Sequence, residues 1–165
     1  CIYNKNLIMI TLYFIMLTVF ITYVGFIWSK YGVLPSISDS YYELPKQINF
    51  LFTLFCWGFA FPAVIIGLDL TDNFLMFLAG GGIMFVGAAA AFKQELTDTV
   101  HKIGAFGGVI FSQLSIAFDF KMYYVNVIFV VLGLLILLTK IKNRIWWLEL
   151  VAFSSICYVL GKQLL

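Results

Sequence analysis

Charge is what this chain has least of. Asp, Glu, Lys and Arg make up 11% of its 165 residues, against 63% hydrophobic residues, and the mean hydropathy is +1.03. A water-soluble globule of this length needs more polar surface than that, so the composition excludes one and makes lipid the solvent. There is a single histidine, His101, so a three-histidine zinc site cannot be assembled within one chain, and no other metal or cofactor pattern is present. The three cysteines, Cys1, Cys56 and Cys157, are odd in number and lack ligand spacing, which excludes a disulfide framework. Cys56 and Cys157 fall in apolar stretches and read as small packing groups. Cys1 reads as part of a truncated tail; lipidation there would need a cleaved signal peptide upstream. A net charge of +2 spread over scattered basic residues excludes nucleic acid as a partner.

Long apolar runs fill most of what remains. A helical span needs about 20 mainly apolar residues at about 1.5 Å each. Six segments qualify: Leu7 to Trp28, Ile48 to Leu68, Phe74 to Phe92, Ile103 to Phe118, Tyr123 to Thr139 and Ile145 to Leu160. The last three are short, but Lys121, Tyr123, Tyr124, Lys140, Trp146, Trp147 and Lys162 flank them as snorkelling or interfacial anchors. Val127 to Leu138 shows no alternation, which argues against transmembrane strands. The expectation is an all-α, polytopic integral membrane protein, with residues 1–165 forming one domain of six transmembrane helices in a bundle. Short loops favour antiparallel neighbours. Seven basic residues fall in loops one, three and five and three on the other side, which predicts those loops inside and both termini outside.

Small and polar residues within the spans mark where helices meet. Gly80 and Gly87 in span three, and Gly104-x-x-x-Gly108 in span four, permit close backbone approach, through intrachain packing or an inter-subunit contact. In span four, Gly104, Gly108, Ser112, Ser115 and Asp119 recur at steps of four, four, three and four and share one face, with Gln113 beside it and Lys121 a candidate partner for Asp119. Such a face must look inward, as interhelical glue or as a solute path. Thr11, Thr18, Thr22 and Gly25 in span one and Asn49, Thr53 and Cys56 in span two are weaker stripes that could face it. Pro62 removes a backbone hydrogen bond and predicts a kink in span two. Glu149 is the one acid well inside a span; it reads as an interfacial partner of Arg144 or Lys142, or as a proton or cation site.

Loop one, Ser29 to Gln47, is the longest connection and is not a bland linker. Its Pro35-Ser36-Ile37-Ser38-Asp39-Ser40-Tyr41-Tyr42 run offers Ser38 or Asp39 to cap a short helix and Tyr41 and Tyr42 as headgroup anchors, with Pro45 marking the next boundary. In loop three, Asp98 and His101 share a face if span four begins early. The loop-one run, the Val86-Gly87-Ala88-Ala89 end of span three and His101-Lys102-Ile103-Gly104-Ala105, in that order, resemble a group of uncharacterised small membrane proteins from bacteria and their phages. That resemblance covers much of the chain and implies a shared six-helix fold in a bacterial inner membrane without supplying an activity. More distantly, the Ser/Asp/His pattern looks like the alkaline-ceramidase and progestin-receptor-like membrane hydrolases, from which this chain departs in lacking their several zinc-binding histidines.

The leading functional expectation is a non-enzymatic bundle that binds membrane lipid or a small solute, or joins a larger membrane assembly. A homo-oligomeric pore or transporter built on the span-four stripe is the alternative. The third is a metal-independent hydrolase using Asp39, Asp98 and His101 as an acid/base set with Ser36, Ser38 or Ser40 as nucleophile, although no Gly-x-Ser-x-Gly turn supports it.

Overall fold

In the computed structural model, which describes residues 2–89 and 94–165 (side chains of 5–89 and 99–165), the apolar segments become helices, and no strand occurs among the described residues. Cys1 and the Ala90 to Phe92 end of the third expected span lie outside the described residues. Among the described residues seven helices follow one another: α1 (Ile2–Tyr31), α2 (Ser40–Glu43), α3 (Phe50–Leu70), α4 (Leu75–Ala89), α5 (Gln94–Phe118), α6 (Tyr123–Leu138) and α7 (Arg144–Leu164). Three are long and apolar enough to cross a membrane: α1 over Lys5–Tyr31, α3, and α7. The helices α4 and α6 are apolar but shorter, at 15 and 16 residues. Helix α1 overruns its expected span at both ends, and α5 starts nine residues before Ile103, so Asp98 and His101 stand one turn apart on it.

The turns between helices have local causes. Gly32 ends α1 at φ +76°, its N–H donating to the Trp28 carbonyl at 2.9 Å; the missing Cβ makes this left-handed stop inexpensive. Before α7 the same region is occupied by Asn143, whose side-chain amide donates to the Val33 carbonyl and ties loop five to loop one. Pro62 is buried inside α3, which continues past it as one 21-residue helix.

Close backbone approach organises α3, α4 and α5. A Cβ on Gly82 would stand 2.6 Å from the Gly104 carbonyl oxygen and 2.6 Å from the Gly108 nitrogen; one on Gly104 would stand 2.8 Å from the Gly82 carbonyl oxygen. Gly87 meets Cys56 of α3 in the same manner, at 2.7 Å, and Gly80 is pressed against Val64. The small residues therefore serve intrachain packing, with Gly82 as the counterpart of the Gly104-x-x-x-Gly108 pair. Two polar staples reinforce α3 against α4: the Thr53 hydroxyl donates to the Gly87 carbonyl at 2.9 Å, and the Trp57 indole to the Met84 carbonyl at 3.2 Å.

Aromatic rings join α1, α3 and α7. Tyr23 stacks on Phe55 at 4.5 Å, and Phe153 meets Phe59 edge-on at 4.8 Å and Phe20 at 5.6 Å. Helix α6 is peripheral, burying only Val125, Gly133 and Ile136. Its remaining apolar side chains face outward, and that leaves a recess between α5, α6 and α7.

Candidate functional site

The span-four stripe is broken into local contacts. Ser112 and Ser115 are fully enclosed, at 1% and 0% exposure. The Ser112 hydroxyl donates to the Val109 carbonyl of its own helix at 2.8 Å, and Ser115 donates to Asp119 Oδ2 at 2.7 Å. Asp119 accepts at its other oxygen from Asn73, 2.8 Å away in the α3–α4 connection, rather than from Lys121. Gln113 turns to a different group: it donates to the Ser155 hydroxyl at 3.1 Å, while the Asn126 amide donates to both the Gln113 side-chain and main-chain oxygens. The expected facing stripe on α1 does not form. Thr11, Thr18 and Thr22 are exposed on the outer surface, and Thr11 and Thr22 donate to carbonyls one turn back, satisfying themselves without any neighbour.

Behind Ser112 lies a void of about 60 Å³, bordered by Cys56, Ile83, Gly108 and Phe153 among others. It is large enough to admit water, but its walls are largely hydrocarbon.

A much larger recess, about 670 Å³, opens on the outer side of α5, α6 and α7 at the loop-one end of the bundle. Drug-sized ligand pockets run from about 300 to 1,000 Å³. Its polar part gathers Ser36, Ser38 and Asp39 of loop one, His101 and Lys102 of α5, and Glu149 of α7. Its apolar wall includes Phe106, Phe129, Val130, Leu134 and Leu137. Ser38, Ala105, Val109 and Glu149 border both this cleft and the small void, so they form the partition between them.

Loop one is held over the cleft by a compact hydrogen-bond network. Ser36 donates to Asp39 Oδ2 at 2.8 Å and accepts from the Asp39 N–H at 3.0 Å. A hydroxyl has one proton, so in the 2.9 Å contact between Ser36 and Ser38 the donor is Ser38. By the same argument Ser40, which donates to the Ile37 carbonyl at 2.5 Å, accepts from Tyr23 at 2.7 Å. Asp39 occupies the N-cap position of α2 but makes no side-chain cap bond there. Tyr41 packs on Phe52, and Tyr42 stands 69% exposed beside it.

Glu149 is the anchor of this loop. Its carboxylate accepts the Ile37 N–H at 2.5 Å, with Ser38 beside it, and the partners expected from sequence, Arg144 and Lys142, do not bond to it. An ion pair lies elsewhere, Lys5 with Asp69 at 2.6 Å. A second tie runs from the Trp146 N–H to the Pro35 carbonyl at 3.2 Å. The carboxylate thus satisfies loop backbone that would otherwise be unpaired near the hydrocarbon, which explains an acid at this depth.

Asp39 and His101 line one cleft, while the side chain of Asp98 lies outside those described. The proton of Ser36 points to Asp39, which is not the serine-to-histidine geometry of a hydrolytic triad. Among the described residues no three His, Cys, Asp or Glu side chains come together as a metal-holding group. Asn126, Ser155 and the apolar wall of α6 were not singled out from sequence; an amide in the first turn of an otherwise apolar helix was the available signal for the first. No family model matches the chain, and neither a curated protein nor a solved structure gives a significant match.

Proposed function

We propose that this is a non-enzymatic integral membrane protein that binds a membrane lipid in the loop-one cleft, with the polar end at Asp39, His101, Lys102 and Glu149 and an acyl chain along α6. The observation that carries this reading is one recess with polar groups at the end of the bundle and an outward-facing wall of Val130, Leu134 and Leu137. In lipid such a wall is covered by acyl chains, and the loop-one end lies where headgroups sit.

The reading includes six crossings, by α1 and α3 to α7, in a bacterial inner membrane. At about 1.5 Å per residue α6 reaches roughly 24 Å, short of a core of about 30 Å, so local thinning or snorkelling by Lys140 and neighbouring residues completes its span. Two observations support the count. Helix α4 runs against both α3 and α5, and loops one and five touch at one end while Asn73 and Asp119 meet at the other. The seven basic residues of loops one, three and five favour the cytoplasmic side for the cleft. Kinship with the small bacterial and phage membrane proteins that share the loop-one run belongs to the same proposal and adds no activity.

Native mass spectrometry of the detergent-purified protein tests the function. Val130→Trp and Leu134→Trp change side chains that are 54% and 51% exposed, so they fill the cleft without disturbing the core. The wild type retains lipid and both variants lose it. Equal retention by all three refutes the reading, and ester hydrolysis of the added lipid would move the protein to the hydrolase class.

A further inference from the structure

The charges around the cleft are of both signs and are not interchangeable in position. Asp39 and Glu149 supply two carboxylates, one from the loop and one from α7; Lys102 supplies an ammonium from α5, and His101 stands next to it in the chain. Each carboxylate is already engaged, Asp39 by Ser36 and Glu149 by the Ile37 N–H with Ser38 beside it. A carboxylate has about four acceptor sites, so each keeps capacity for a further donor. Lysine likewise carries three donors and shares them.

A ligand complementary to this arrangement carries a cation and an anion a few bonds apart, followed by hydrocarbon. Resting on the lipid-binding reading above, we propose that the cleft selects a zwitterionic phospholipid whose headgroup ends in a primary ammonium, with that ammonium on Asp39 and Glu149 and its phosphate toward Lys102. The amine class follows from the donor count. A primary ammonium offers three N–H donors to oxygen acceptors, whereas a quaternary ammonium offers none and is recognised by aromatic faces. The aromatic residues of the lining, Phe106 and Phe129, belong to its apolar wall and not to a cage of tyrosines: Tyr41 is turned onto Phe52, and the polar end of the cleft is built from acids, serines and basic groups. An anionic headgroup without an amine would bring its charge to Lys102 but leave two carboxylates facing it.

The test compares dioleoyl phosphatidylethanolamine, phosphatidylcholine and phosphatidylglycerol, titrated into the delipidated full chain and read by native mass spectrometry. The ethanolamine lipid binds about ten-fold more tightly than either competitor, the scale of one or two charge-assisted hydrogen bonds. Asp39→Asn and Glu149→Gln each reduce that preference, and Lys102→Gln weakens all three phospholipids together. Far-UV circular dichroism checks the fold, and Asp39→Asn, which leaves the Glu149 anchor in place, carries the test if Glu149→Gln fails to fold. Equal or tighter binding of the choline or glycerol lipid, or a preference that survives both acid substitutions, overturns the headgroup assignment while leaving the lipid cleft standing. Failure of all three lipids to bind overturns the lipid-binding reading itself.

Discussion

Replacing Gly82 by alanine adds one methyl group at the place where two backbones are closest. That Cβ would lie 2.6 Å from both the Gly104 carbonyl oxygen and the Gly108 nitrogen and 2.9 Å from the Gly108 Cα. All three atoms are backbone, so no rotamer change relieves the contact. To reach an ordinary separation of 3.4 Å the helices must part by roughly 0.8 Å, which forfeits dispersion along the α4–α5 interface. Overpacking of this kind costs about 1 to 3 kcal/mol. Alanine also favours helix over glycine by up to about 1 kcal/mol, which would mask part of the effect. Gly81→Ala supplies the correction, because a Cβ at Gly81 meets nothing within 4 Å on the same helix one residue away. Propensity cancels in the comparison, leaving a difference of about 2 kcal/mol, or roughly 30-fold in the unfolding equilibrium. Reversible unfolding in mixed micelles with increasing sodium dodecyl sulfate, followed by tryptophan fluorescence, reads this difference. If Gly82→Ala and Gly81→Ala unfold together, close α4–α5 packing is not what holds this part of the bundle.

Other substitutions separate local self-satisfaction from interhelical bonding. Glu149→Ala removes the acceptor of the Ile37 N–H and raises hydrogen exchange across residues 33–41, whereas Glu149→Gln keeps an acceptor oxygen and gives a smaller rise. Thr53→Val loses the bond to the Gly87 carbonyl and destabilises by about 0.6 to 1.5 kcal/mol in the same micellar assay, while Thr22→Val, on the outer face with only a bond to its own helix, stays within about 0.5 kcal/mol. Gln113→Leu removes the side-chain acceptor of the Asn126 amide, which keeps the Gln113 main-chain carbonyl, and costs about 0.5 to 1.5 kcal/mol; adding Asn126→Leu costs less than the two single losses together, a non-additivity that a double-mutant cycle measures.

How far the sequence could be read depended on whether a residue's partner lies on its own helix. The apolar runs marked every major helix, because composition alone decides whether a segment belongs in lipid. Period-four spacing placed Ser112 and Ser115 on one face, and both are enclosed. The same spacing misdirected the reading of Thr11, Thr18 and Thr22: a threonine satisfied by its own preceding carbonyl needs no inward face, and sequence does not distinguish the two. The early start of α5 brought His101 to the cleft with Asp39, and that juxtaposition was legible once the loops were assigned to one end. The role of Glu149 was not. Its partner is a backbone N–H 112 residues away, which leaves no mark on side-chain pattern, so nearby Arg144 and Lys142 looked like the natural choices. Gly82 was hidden similarly, since three consecutive glycines look alike until the crossing point is known.

The central claim is that one recess among many outward-facing apolar surfaces holds a lipid. It is tested most directly by photo-crosslinking in native-like bilayers with a phospholipid bearing a diazirine on its acyl chain, followed by peptide mapping of the adducts. Adducts are expected to concentrate on Phe129, Val130, Leu134 and Leu137 and to be lost in Val130→Trp. Adducts spread equally over Ile21, Phe77 and Phe85, which are exposed on α1 and α4 away from the cleft, would contradict it.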